Sequence, residues 1–329
     1  MKISFFFLLF IAIKSSNAQN YVPFMQGQAA YLYYNPAFAG STGFHRAAAG
    51  IAVSGVQRNF QRAYLSYDQY STKAKIGFGI FATNIPWYTD FQYKKITYSE
   101  CEIVAAPKVR ISKKLMLSVG ISASIGRKST AKDTVYILKE SYIPDQWHLN
   151  YSLGAVINAK NYYMGYCLRK YDPVISSRDT NLTNYKITLE QVPVFFSTIQ
   201  GGLMLKSRKS SFSFNPSFIY QMYHHPQMKS QNTLIVNTNF KYANVFWGIG
   251  VGNTNSQITL GYQRQKFRIG YAAGFTYNLF DLFETTNINN GYLFFSREFF
   301  ISYTFEDFST KLFTLQPHKS EKEVPEESK

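Results

Sequence analysis

The residues able to do covalent or metal chemistry are few in this chain of 329 residues. Cys101 and Cys167 stand 66 residues apart with no second Cys or His at metal spacing, so they offer neither a disulfide framework nor a zinc motif. His224 and His225 adjoin Pro226 in a stretch read as a loop. Neighbouring imidazoles there, without further ligands, do not make a preorganised metal site. Residues 120–129, GISASIGRKS, look superficially like a phosphate-binding loop. They place five residues between the glycines instead of four, set Arg127 before Lys128, and alternate as a strand does, whereas such a loop must lead into a helix. The chain has no G-x-S-x-G, H-E-x-x-H or C-x-x-C. A hydrolase built on barrel strands would need a nucleophile, a His and an oxyanion donor converging near one rim. With five His and none placed on the inner face of a clean strand, the chain reads as non-enzymatic and without a cofactor.

The elements that would carry such residues point elsewhere. Hydrophobic residues make up 46% of the chain and aromatics 18%, while charged residues fall to 16%, against roughly 25% in an ordinary soluble domain. A surface so poor in charge and rich in rings is suited to something other than water. Residues 1–18, MKISFFFLLFIAIKSSNA, have a lysine, an apolar run and small residues at 16 and 18, the pattern of a secretory signal cleaved after Ala18. The run from Ile3 to Ile13 has 11 residues, short of the roughly 20 that a spanning helix needs. No later run approaches that length, so a membrane reading requires a β-barrel, the other fold that satisfies every backbone group in lipid.

Strict alternation, the strand period, recurs from 46 to 305. Leu115, Leu117, Val119, Ile121, Ala123 and Ile125 share one face, opposite Met116, Ser118, Gly120, Ser122, Ser124 and Gly126. Stretches 245–252, 256–263 and 267–277 repeat the device. The outer face of a soluble sandwich carries Lys and Glu. Apolar residues outside and small polar ones inside are what a transmembrane barrel requires. The expectation is an all-β, antiparallel outer-membrane barrel of about fourteen strands over residues 46–305. Those strands lie near 46–57, 60–71, 75–84, 96–110, 114–126, 150–159, 161–168, 194–206, 210–222, 231–240, 244–252, 255–262, 266–277 and 296–305. It follows an N-terminal segment at 19–45 and precedes a mobile periplasmic tail at 306–329, where six acids, four lysines and two prolines replace the alternation.

Connections after even strands are short. Several after odd strands are long: 85–95, 127–149, 169–193 and 278–295. That asymmetry sets both chain ends on the periplasmic side. Thirteen Lys and Arg, among them Lys113, Lys114, Lys206, Arg208 and Lys209, sit in or beside the short turns, which contain no acid. Such a basic rim suits anionic head groups or an acidic periplasmic partner. Nucleic acid is excluded as a partner, because the signal removes the chain from the cytoplasm and the basic residues are scattered around turns. The last strand alternates Phe299, Ile301, Tyr303 and Phe305 with Phe300, Ser302 and Thr304, an ending similar to the signal read by barrel-assembly machinery.

Residues 33–41, YYNPAFAGS, resemble the opening motif of the PorP/SprF family of type IX secretion system outer-membrane proteins. Asn35, Pro36, Ala37, Phe38, Ala39 and Gly40 match it, with Phe38 where Tyr is commoner. Further stretches are similar to the family's later strands: 56–70 (VQRNFQRAYLSYDQY, with Phe60 where Trp is usual), 215–221, 267–280 and 297–305. The resemblance implies a fourteen-stranded barrel. It also implies a role in secretion or surface attachment of proteins bearing a type IX C-terminal signal domain, including gliding adhesins, with periplasmic and peptidoglycan-associated partners. From residue chemistry alone, Asn35 and Pro36 form a turn, since Pro presets the backbone and Asn accepts a local hydrogen bond. A partner-docking role is the other reading of the motif. For the whole protein the competing class is a porin or small-solute uptake channel. Such a channel should carry opposing rows of charge on its inner faces, whereas the cleanest inward faces of this sequence hold Gly, Ser, Thr and Ala.

Overall fold

Alternating apolar and small polar residues separate onto two faces only in extended backbone. The computed structural model describes residues 30–41, 45–54, 60–89, 94–130, 146–171, 174–178, 187–191, 194–207, 211–224, 231–253, 255–276 and 294–304. Its strands are β1 (His45–Ser54), β2 (Phe60–Ser71), β3 (Ile76–Thr89), β4 (Lys94–Ser112), β5 (Leu115–Thr130), β6 (Gln146–Ala159), β7 (Tyr162–Tyr171), β8 (Val174–Arg178), β9 (Ile187–Gln191) and β10 (Val194–Leu203). They continue with β11 (Leu205–Lys206), β12 (Phe212–His224), β13 (Gln231–Tyr242), β14 (Val245–Gly252), β15 (Asn255–Arg264), β16 (Phe267–Thr276) and β17 (Phe294–Thr304).

Fourteen of these close into an antiparallel barrel, each paired with its chain neighbours. β10 pairs with both β7 and β12, β11 prolongs the same edge of β12, and β8 and β9 form a separate hairpin within the connection after β7. Closure comes from β1 on β17, running from Arg46↔Thr304 to Ser54↔Ser296. It leaves no open edge, which lipid does not tolerate. Odd-numbered β5 positions face lipid, with Ile121 57% and Ile125 50% exposed, while Ser118, Ser122 and Ser124 are buried inside. No helix among the described residues is long and apolar enough to cross a membrane.

All fourteen expected strands are present, but several run further. β3 and β4 stay paired from Ile85↔Tyr98 to Thr89↔Lys94, so the expected long connection at 85–95 is mostly hairpin. β5 extends to Thr130 and β6 begins at Gln146, trimming 127–149 in the same way, and β8–β9 occupy part of 169–193. Beyond the apolar band a ladder still forms through backbone hydrogen bonds, but no lipid face remains to impose the alternation that betrays it. The short turns are where they were expected, at 72–75, 113–114, 160–161, 243–244 and 265–266. Three of them place a side-chain-bearing residue at positive φ: Lys75, Ala243 and Gln265. Residues 1–18, Phe305 and 306–329 lie outside the described residues, as do 19–29 and 42–44 of the N-terminal segment.

Candidate functional site

The hexapeptide Asn35–Gly40 is not at the rim. Residues 31–34 form one helical turn, α1 (Tyr31–Tyr34), and Pro36–Phe38 a 3-10 turn that starts with Pro in the position where its fixed φ is preorganised. Asn35 is extended (φ −161°, ψ 118°) and its Oδ1 accepts from Ala37 N at 2.9 Å, so the local turn chemistry expected of it is present. The whole unit is wedged into the lumen against β3 to β7, with Asn35, Ala37 and Ala39 wholly buried. Asn35 Nδ2 donates to the carbonyl of Tyr166 on β7 (3.1 Å) and that of Ala155 on β6 (3.4 Å). Ser118 of β5 donates to the Ala37 carbonyl at 2.7 Å, and Lys108 Nζ of β4 donates to Ser118 Oγ at 3.2 Å. The Phe38 ring meets the edge of Tyr163, centroids 5.6 Å apart.

Glycines on the inner wall form the socket. A Cβ on Gly120 would lie 2.5 Å from Ala37 Cα, and one on Gly154 2.9 Å from Asn35 Cγ. Both distances are well inside carbon contact. Gly40 ends the motif at φ +65°, a conformation that L side chains rarely adopt, and donates its N–H to Asp68 Oδ2 at 2.8 Å.

Asp68, on β2, is a hub. Its Oδ1 accepts from Arg46 Nε at 3.0 Å and from Tyr31 OH at 3.3 Å, and the Arg46 guanidinium lies 3.4 Å from the centroid of the Tyr31 ring. Burial pushes the Tyr31 phenol well above its ordinary pKa, which keeps it neutral and able to donate. A second clamp joins β7 and β4. Arg169 pairs with Glu102 at 3.0 Å while donating to the Tyr33 carbonyl at 2.9 Å. Beside it Glu100 accepts from Ser124 and from Asn150 (3.0 Å), Asn150 also donates to Tyr98 OH (2.8 Å), and Tyr98 stacks on His148 with centroids 4.8 Å apart. Across the lumen the Arg268 guanidinium lies 4.3 Å from the Phe246 ring centroid and 5.5 Å from that of Phe300.

Besides the Gly, Ser, Thr and Ala expected on the cleanest inward faces, the inner wall carries these buried charges. His148 corrects the reading that no His lies on the inner face of a clean strand, since β6 begins four residues earlier than expected and carries it inward. Glu102 and Arg169 are 67 residues apart, and only barrel closure shows that they neutralise each other, as buried charges must. The signal was available in parity, because Asp68, Glu102 and Arg169 alternate with outward apolar residues.

Phe299, Ile301 and Tyr303 face lipid, 47%, 37% and 42% exposed, and Phe305 lies outside the described residues. Lys113 and Lys114 come together with Lys160 from the adjacent short turn, around a cleft of about 610 Å³ lined also by Ser112, Leu115 and Tyr162. Lys206, exposed on β11, lies at the next short connection of the same rim, while Arg208 and Lys209 are outside the described residues. Cys101 is exposed on the outer wall and Cys167 buried inside, both as free thiols. Among the described residues no three His, Cys, Asp or Glu converge as metal ligands. What this arrangement does is hold a segment of its own chain.

The family model described as type IX secretion system membrane protein PorP/SprF matches residues 16–287. No curated protein matches the sequence. Among solved structures, the chain is similar to the CymD monoaromatic hydrocarbon channel, with TM-score 0.52 and 11% identity over 88% of this chain and 95% of that one. It is also similar to the TodX deltaS2S3 mutant monoaromatic hydrocarbon channel, with TM-score 0.51 and 11% identity over 85% and 94%. At that identity what is shared is the outer-membrane barrel architecture.

Proposed function

The chain belongs to the PorP/SprF family of type IX secretion system membrane proteins, and on that premise we propose that this outer-membrane barrel is a non-enzymatic component that assists secretion or surface attachment of cargo. The cargo class is proteins with a type IX C-terminal signal domain, of the gliding-adhesin type. The observation that supports a protein-handling role over solute passage is the motif Asn35–Gly40 seated in the lumen, on glycine sockets and under two buried ion pairs. A peptide segment held inside the barrel stands in the path that a small solute would take.

The short-turn rim supplies the partner side of the reading. Lys113, Lys114 and Lys160 around one cleft, with Lys206 further along and Arg208 and Lys209 next to it in the sequence, suit an acidic or peptidoglycan-linked periplasmic protein. Each exposed contact is weak and salt-sensitive, so docking relies on several acting together. Reversing the charge at Lys113, Lys114, Lys206, Arg208 and Lys209 together should leave the barrel folded, release the partner and reduce cargo display. Unchanged co-purification and display at normal protein level would reject the rim as a docking surface. The second reading, a porin or small-solute uptake channel, draws on the architecture shared with the hydrocarbon channels. Planar-bilayer recording of the purified protein decides between them, since steady open channels in the wild type would favour the porin.

A further inference from the structure

The short turns hold cations and no acid, and the barrel topology limits which acids reach them. Asp68, Glu100, Glu102 and Glu298 are buried on the inner wall of the strands. The other acids fall in connections that join strands at the opposite rim, on β9, or in residues 306–329. Thr304, the last residue of β17, donates its N–H to the Lys266 carbonyl at 2.8 Å, so the chain leaves the barrel beside a short turn. Apart from the buried Asp68, acids therefore come to this rim only from the segment that follows β17.

The cleft between the turns at 113–114 and 160–161 sets three lysines around an apolar floor. Leu115 and Ala159 are directly paired across β5 and β6, Tyr162 opens β7, and Lys113, Lys114 and Lys160 adjoin them. Among the described residues no carboxylate pairs with any of the three. Residues 321–327, EKEVPEE, have the complementary order: Glu321 and Glu323, then Val324 and Pro325, then Glu326 and Glu327. Reach separates these acids from the nearer ones. β5 lies five strand intervals from β17, about 24 Å at ~4.8 Å each. Glu306 and Asp307, two and three residues past Thr304, extend no further than ~10 Å, whereas Glu321, 17 residues past it, can extend to ~56 Å.

We propose that residues 321–327 dock on this cleft within their own chain, the four glutamates on Lys113, Lys114 and Lys160, and Val324 and Pro325 over Leu115, Ala159 and Tyr162. Tethering sets the local concentration of the segment at about the millimolar level, so contacts too weak and salt-sensitive to hold a free peptide suffice here. The role rests on the reading that this rim docks an acidic partner: the segment covers the cleft until a partner with more contacts displaces it.

Carbodiimide joins a carboxylate to an amine only where the two are in contact, and it tests this on the full chain in detergent with no partner present. Links from Glu321, Glu323, Glu326 and Glu327 to Lys113, Lys114 and Lys160 should exceed those to Lys73 and Lys75, on a turn nearer β17, by roughly fivefold or more. A mixture of light and heavy chains should show them within single chains. Reversing both sides, K113E/K114E/K160E with E321K/E323K/E326K/E327K, should restore links of the opposite sense in a barrel that keeps its heat-modifiable mobility. Equal linking to Lys73 and Lys75, links between chains, or a folded double reversal without links would overturn the proposal. So would loss of the links on transfer from detergent to phosphatidylglycerol vesicles, which would give the cleft to lipid. Partner docking is decided separately by co-purification, so a rim that retains its partner but shows no links loses only the regulating segment.

Discussion

Gly120→Ala is the smallest change that should unseat the motif. The new methyl carbon would lie 2.5 Å from Ala37 Cα, and nearer still to the Ala37 nitrogen and the Pro36 carbonyl carbon, all backbone atoms that no rotamer change can move aside. Carbon contacts relax at about 3.5 to 4.0 Å, so wall or wedge must retreat by about 1 Å or more. The wall is laddered on both sides, β5 to β4 and β5 to β6, whereas the wedge hangs on a handful of hydrogen bonds, and so the wedge yields. Overpacking costs about 1 to 3 kcal/mol. Loss of the Ser118 bond to Ala37 and of the Asn35 bonds to β6 and β7 adds about 0.5 to 1.5 kcal/mol for each contact broken. With all three broken, a total of about 2.5 to 7.5 kcal/mol raises the undocked population by roughly sixtyfold or more, at about 1.4 kcal/mol per tenfold. Limited proteolysis of the purified barrel should then cleave the N-terminal segment far faster than in the wild type, and bilayer recordings should show new openings. Val119→Leu, on the neighbouring lipid-facing position, should change neither. A Gly120→Ala protein as protected and as silent as the wild type would refute the reasoning that the socket holds the motif.

Asp68→Asn leaves Arg46 buried beside a neutral amide and weakens the hub under Tyr31 and Gly40. Breaking such a pair costs about 3 to 5 kcal/mol, so urea should convert the heat-modifiable form at a clearly lower midpoint, and an unchanged midpoint would dismiss the hub. Thiol titration of the folded protein in detergent should modify Cys101 alone and reach Cys167 only after unfolding; two fast equivalents, or a mobility shift on reduction, would contradict the strand faces. Phe305→Glu should lower the amount of assembled barrel by putting a charge next in sequence to the closing strand, which ends at Thr304. Normal levels of folded protein would show that the assembly signal lies elsewhere.

Alternation by itself determined the fold class, the number of crossing strands and which residues meet lipid. It does so because period two is a local property, and a barrel imposes one rule, apolar outside, along every strand. Val119, Ile258 and Tyr303 were readable in this way, and so were the turns at Lys113 and Lys160. The N-P-A-F-A-G element was readable as a motif and its Asn–Pro turn as chemistry, but its seat was not. Asn35 meets Tyr166 131 residues away, and Ser118 meets Ala37 across 81. Such contacts depend on strands brought round by closure, and no local pattern encodes them. The same holds for the charges. Glu102 and Arg169 each look like an intruder among small inward residues, and only the closed barrel sets them 3.0 Å apart, where each makes the other's burial tolerable.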